Sequence, residues 1–138
     1  MNTTQITIQS TISASPEKIW NYWTEPEHIT KWNFASDDWC CPSAENDLRV
    51  GGTYKARMEA KDGSSGFDFE ATYSEVVNHQ KISYTLKDGR VVTTTFVEEN
   101  GSTNVTTIFD AETENDIEMQ RNGWQAILNN FKKYVEAN

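Results

Sequence analysis

The closing stretch of the chain, Asn115 to Asn138, constrains it most, because it reads as one long amphipathic helix that needs a large partner surface. At about 100° per residue, Ile117, Trp124, Leu128, Phe131 and Val135 fall within an arc of roughly 60°, and Ile127 and Tyr134 widen it on one side. The opposite arc carries Glu118, Asn122, Gln125, Asn129, Lys132, Lys133 and Glu136, the composition of a solvated face. Asn115 followed by Glu118 fits a capping box, and Glu114 and Asp116 suit the positive end of the helix dipole. Gly123 costs about 1 kcal/mol relative to alanine inside a helix. Close approach to a sheet beside Trp124 is the expected reason for it. Trp124 itself reads either as plain core or as the floor of a cavity.

The rest of the chain supplies the sheet. Thr4 to Ser13 alternates, with Ile6, Ile8 and Ile12 on one face, as a half-buried strand does. Ser15 and Pro16 then cap a short helix carrying Ile19, Trp20 and Trp23, and Pro26 restarts a second one carrying Ile29 and Trp32. Phe34 to Leu48 mixes Trp39, the adjacent Cys40 and Cys41, Pro42 and acidic residues, and reads as a loop entering a short irregular strand. Arg49 to Gly52 reads as a turn or bulge. Beyond it, Tyr54, Ala56 and Met58 alternate with Lys55, Arg57 and Glu59, and Phe67, Phe69, Ala71 and Tyr73 alternate with Asp68, Glu70, Thr72 and Ser74. Ile82, Tyr84 and Leu86, then Val92, Thr94 and Phe96, then Val105, Thr107 and Phe109 continue the inward set. Asp62-Gly63, Asp88-Gly89 and Asn100-Gly101 mark hairpin turns, with a weaker turn at Asn78 to Gln80.

The expected fold is α+β. A curved antiparallel sheet of about six to seven strands wraps the long C-terminal helix, with two short helices after the first strand; this is a helix-grip architecture. One continuous pattern over 138 residues is expected to form a single domain. With 12 basic against 21 acidic residues, a net charge of −9, the chain is not expected to bind nucleic acid or an anionic membrane surface. No signal segment or membrane-spanning run is legible, so the expected setting is cytoplasmic. The glycosylation-type triplets at Asn2, Asn100 and Asn104 are then silent. Cys40 and Cys41, as neighbours in extended chain, point to opposite faces, so a disulfide between them is not expected, and one thiol is expected buried and one exposed. A zinc site needs about four suitably spaced ligands, and His28 and His79 are far apart, so neither a metal nor another cofactor is expected.

Ile12 to Trp20, Glu25 to Trp32, Asp47 to Tyr54, Tyr73 to Val77, and Gly123 and Trp124 with Leu128 resemble the START-like SRPBCC superfamily. Within it they resemble the branch named for activators of the heat-shock protein 90 ATPase. The resemblance implies an internal cavity between the curved sheet and the last helix. Ala71 stands where that branch tends to have glycine, which bears on cavity size. Because the fold hosts carriers, hormone binders, cyclases and co-chaperone domains, it does not by itself choose a function.

No nucleophile elbow, zinc helix or phosphate-cradling glycine loop is present. His28 and His79 are expected at the surface, and the pairs Asp37-Asp38 and Glu98-Glu99 in solvent. What remains is a concentration of inward aromatic side chains. The expected lining of a cavity is Tyr54, Met58, Phe67, Phe69, Ala71, Tyr84, Phe96, Trp124 and Leu128, with Trp32, Phe34 and Trp39 at its mouth and no catalytic residue. A packed aromatic core is the competing reading. Non-enzymatic binding of a small apolar or aromatic molecule is the first functional expectation. A co-chaperone-like module, anchored through exposed tryptophans among Trp20, Trp23, Trp32 and Trp39, is the second. A polyketide cyclase-like enzyme, which needs a titratable group deep in the pocket, is the third.

Overall fold

A computed structural model describes residues 4–138, and Asn2 lies outside the described residues. In chain order the elements are β1 (Gln5–Ile12), α1 (Pro16–Thr24), α2 (Pro26–Trp32), β2 (Trp39–Asn46), β3 (Thr53–Ala60), β4 (Gly66–Val77), β5 (Lys81–Leu86), β6 (Val91–Glu99), β7 (Ser102–Asp110) and α3 (Ile117–Ala137). All strands join one antiparallel sheet in the order β1-β7-β6-β5-β4-β3-β2, curled into a half-barrel around α3. Consecutive strands from β2 to β7 are neighbours, whereas β1 and β2 form the two opposite edges. The chain must therefore cross from one edge to the other between them. Helices α1 and α2 make that crossing, and α2 packs on both β2 and α3.

Local chemistry explains the joints. Ser15 caps α1 by accepting from the Lys18 amide, and Pro16 occupies the first turn, where no amide is needed. Asn100 and Gly101 both adopt positive φ, 53° and 84°, which matches the twist of the two-residue turn between β6 and β7. Gly52 is required for a different reason: a Cβ there would stand 2.0 Å from the Asp47 carbonyl oxygen. That close approach lets Gly52 accept from the Tyr73 amide while the Gly51 amide donates to the Tyr73 carbonyl.

Inward positions of β1, β6 and β7 are buried as the alternation predicts: Ile6, Ile8 and Ile12 on β1, Val92, Thr94 and Phe96 on β6, and Val105, Thr107 and Phe109 on β7. From α3, Leu128, Phe131 and Val135 are buried, and Ile117, Trp124, Ile127 and Tyr134 are partly so. None of the described helices is long and apolar enough to cross a membrane.

The structure corrects several readings. The stretch around Cys40 and Pro42 is a full edge strand, β2, with a register shift between Cys40 and Ser43 that accommodates the proline. Asp116, not Asn115, caps α3, accepting from the Met119 amide at 2.7 Å, while Asn115 is drawn to the Glu112 carboxylate. Gly123 makes no close approach, since a Cβ there would meet nothing within 4 Å. His28 and His79 are half-buried, His79 lying edge-on to Trp20 with ring centroids 5.8 Å apart.

Candidate functional site

Between the concave face of the sheet and the N-terminal half of α3 lies a cavity of about 180 Å³. Strand β3 contributes Tyr54 and Met58, β4 contributes Phe67, Phe69 and Tyr73, and β5 contributes Tyr84. Ile8, Thr94 and Thr107 come from β1, β6 and β7, and Trp124, Ile127 and Leu128 from α3; Trp23, Trp32 and Asn33 close the end formed by the short helices. Strand parity explains the set, because residues two apart on a pleated strand share a face, and the curl brings those faces around one helix.

The helical wall is fixed by aromatic contact. The Trp124 ring stacks on Phe109 at a centroid distance of 3.9 Å and meets Phe69 edge-on at 6.3 Å. Trp23 stacks on Trp32 and stands edge-on to Phe131 at 4.9 Å, so the short helices are anchored to α3 through rings.

Of the residues expected to line the cavity, Tyr54, Met58, Phe67, Phe69, Tyr84, Trp124 and Leu128 are on its wall. Phe67 is 48% exposed and stands near the rim, 6.1 Å from the Trp39 ring. Ala71 and Phe96 are not on the wall. Ala71 is buried between Tyr54 and Leu86 in register, and Phe96 packs edge-on against Trp20 and Trp23 of α1. Trp32, expected at the mouth, is a buried wall residue, whereas Phe34 and Trp39 are half-buried outside the lining.

Two asparagines that sequence reasoning missed set the polar side of the site. Asn33, just past the end of α2, donates through Nδ2 to the Tyr54 hydroxyl at 2.9 Å. Asn46, at the end of β2, accepts from the Tyr73 hydroxyl at 2.6 Å and donates to the Thr24 carbonyl at 2.6 Å. No pattern announces them, since both sit at element ends where asparagine is commonplace. Burial is the first cause lifting the Tyr54, Tyr73 and Tyr84 phenols well above their ordinary value, reinforced for Tyr54 and Tyr84 by neighbouring phenols. All three therefore stay neutral hydroxyls. Thr94 and Thr107, buried on β6 and β7, satisfy each other at 2.8 Å.

One further cluster has metal-capable atoms. Ligand atoms of Glu25, Glu27 and His28 lie within 4.8 Å of one another. Its histidine is already engaged: Nδ1 shares a 2.7 Å hydrogen bond with the Tyr134 hydroxyl, Nε2 lies 3.5 Å from Glu25, and the ring stacks on Tyr22 at 4.1 Å. The group serves as the joint between α2 and α3.

The family model for Activator of Hsp90 ATPase homolog 1-like protein matches residues 13–136. The chain belongs to this family. The solution structure of an AHSA1-like protein from Aeromonas hydrophila is similar to it at 44% identity and a TM-score of 0.92, covering 97% of this chain and 93% of that one. A solution structure from Cytophaga hutchinsonii is similar at 48% identity and a TM-score of 0.84, with the same coverage of both chains. A crystal structure from Chromobacterium violaceum, at 25% identity and a TM-score of 0.87, covers 98% of this chain and 99% of that one. No match was found among curated proteins. The match to the Activator of Hsp90 ATPase homolog 1-like family spans both short helices, every cavity-lining residue named above except Ile8, and nearly all of α3. Every element that builds the candidate site except β1 thus falls wholly or almost wholly within the shared domain.

Proposed function

We propose that this member of the family is a binding protein that holds a small apolar or aromatic molecule between sheet and α3 without transforming it. The observation that carries this reading is the cavity itself, walled by aromatic rings from β3, β4, β5 and α3 and polar at only a few points. A volume of about 180 Å³ is comparable to an apolar cavity of about 150 Å³ that accommodates benzene. Among the described residues the only titratable side chains on the wall are phenols held neutral by burial, which suits retention rather than acid-base chemistry and stands against a cyclase-like role.

A co-chaperone-like role, suggested by the family's description, would draw on exposed tryptophan anchors. Trp20 and Trp32 are buried, and Trp23 and Trp39 are half-buried against other rings, so that support is weak. A cytoplasmic setting goes with the binding reading, as the thiols of Cys40 and Cys41 are free. A native mass spectrum of the protein purified from its own host tests the proposal. A retained neutral molecule of a few hundred daltons or less supports it. Bare protein, together with failure to bind any apolar probe, opposes it.

A further inference from the structure

The cavity's polar groups are unevenly used, and that unevenness specifies a ligand. Asn33 is only 8% exposed, yet among the described residues its amide has a single hydrogen bond, from Nδ2 to the Tyr54 hydroxyl. Among the described residues no fully buried side-chain oxygen or nitrogen lacks a partner, so the unpaired end of this amide is not sealed off, and the residue lines the cavity. Tyr54, accepting from Asn33, keeps its own proton free. Tyr84, stacked beside Tyr54 with centroids 5.9 Å apart, has no hydrogen-bond partner among the described residues. Tyr73, by contrast, is occupied by Asn46. With no protein partner, the open end of this amide and the phenol protons are answered by whatever occupies the cavity, water or a ligand.

Resting on the binding role proposed above, we infer that the cavity selects a neutral one-ring molecule bearing a hydroxyl group, with the hydroxyl seated among Asn33, Tyr54 and Tyr84. A hydroxyl both donates and accepts, so it meets the open end of the Asn33 amide in either orientation and still accepts from a tyrosine. A plain hydrocarbon leaves those groups unanswered. A carboxylate is rejected, because among the described residues no Lys, Arg or His lines the cavity and the chain carries a net charge of −9. Burial keeps both phenols protonated, so they act as donors throughout the neutral range.

The test is a two-dimensional ¹H–¹⁵N NMR titration of the full chain with phenol, benzene and benzoate, reading the backbone amides of Trp124 and Leu128 and the Asn33 side-chain amide. Phenol is expected to bind about tenfold more tightly than benzene, with the Asn33 amide among the shifted signals, and benzoate to shift nothing. Tyr84→Phe removes only an unpartnered oxygen, so the protein stays folded and its preference for phenol over benzene falls severalfold. Benzene binding as tightly as phenol, benzoate binding as well as phenol, or an unchanged preference in Tyr84→Phe overturns this inference and leaves the binding role standing. Binding of the larger neutral fluorophore N-phenyl-1-naphthylamine alone does the same. If neither that fluorophore nor any of the three ring compounds binds, the binding role falls as well.

Discussion

The indole of Trp124 lies flat on the ring of Phe109, with centroids 3.9 Å apart and planes inclined by 12°. This contact joins the longest helix to the strand that follows the tightest hairpin. Trp124 also lines the cavity, so it is both a fastening and a wall. Trp124→Ala is expected to cost about 3 kcal/mol, at the low end for burying and then deleting a tryptophan, because part of the ring contacts open space. Urea unfolding monitored by circular dichroism checks this, and a loss below about 1 kcal/mol would show that the stack does not hold helix to sheet.

Gly123→Ala should stabilise the protein by up to about 1 kcal/mol, the helix-propensity difference between the two residues. Nothing lies within 4 Å of the added Cβ, so no clash offsets the gain. A raised melting temperature is the expected readout. A lowered one would mean that α3 lies closer to its neighbours than the structure places it.

The buried phenols make stability fall at alkaline pH. Tyr54, Tyr73 and Tyr84 have folded-state values raised above the ordinary value near 10, chiefly by burial. Between the unfolded and folded values the native state holds more protons, so the stabilisation is complete below about pH 10 and is lost as pH rises through the folded values. Each phenol steepens the fall by about 1.4 kcal/mol per pH unit. Denaturant melts at a series of pH values from 8 upward should stay level and then drop beyond about pH 10. A flat profile through the alkaline range would contradict the burial of these three groups.

The adjacent cysteines should react unequally. Cys41 is 2% exposed, and burial, with Cys40 next to it, pushes its thiol up to about 11. Cys40 is half-buried. One equivalent of a thiol-disulfide reagent should add quickly to the native chain at neutral pH and the second only on unfolding. Two fast equivalents would place Cys41 at the surface.

Much of the fold could be read from period and punctuation, and the failures have physical causes. Asn100-Gly101 announces its hairpin because few other pairs accept two positive φ values. Strand β2 was obscured because an edge strand carrying Pro42 and a register shift does not alternate in the way a half-buried central strand does. Parity correctly sets Phe67, Ala71 and Phe96 on the inner face, but it does not say what covers them. Phe67 stands at the rim, Phe96 is covered by α1, and Ala71 is buried between its cross-strand neighbours. Gln120 shows the converse: a polar side chain beside the apolar stripe, it is buried and hydrogen-bonds the backbone of Glu112 and Asn115, fixing the entry to α3. Asn33 and Asn46 were illegible because their significance lies in the distant tyrosines they meet.

The most direct measurement is a fluorescence titration with N-phenyl-1-naphthylamine, comparing the wild-type chain with Ile127→Trp. Ile127 is half-buried on the cavity wall, so the larger ring occupies open volume rather than a packed core. Saturable binding by the wild type, lost or weakened at least tenfold in Ile127→Trp while the melting temperature holds, is the predicted result. Equal binding by the two chains, or a wild type that binds neither this fluorophore nor phenol, would contradict a ligand seated between the sheet and α3.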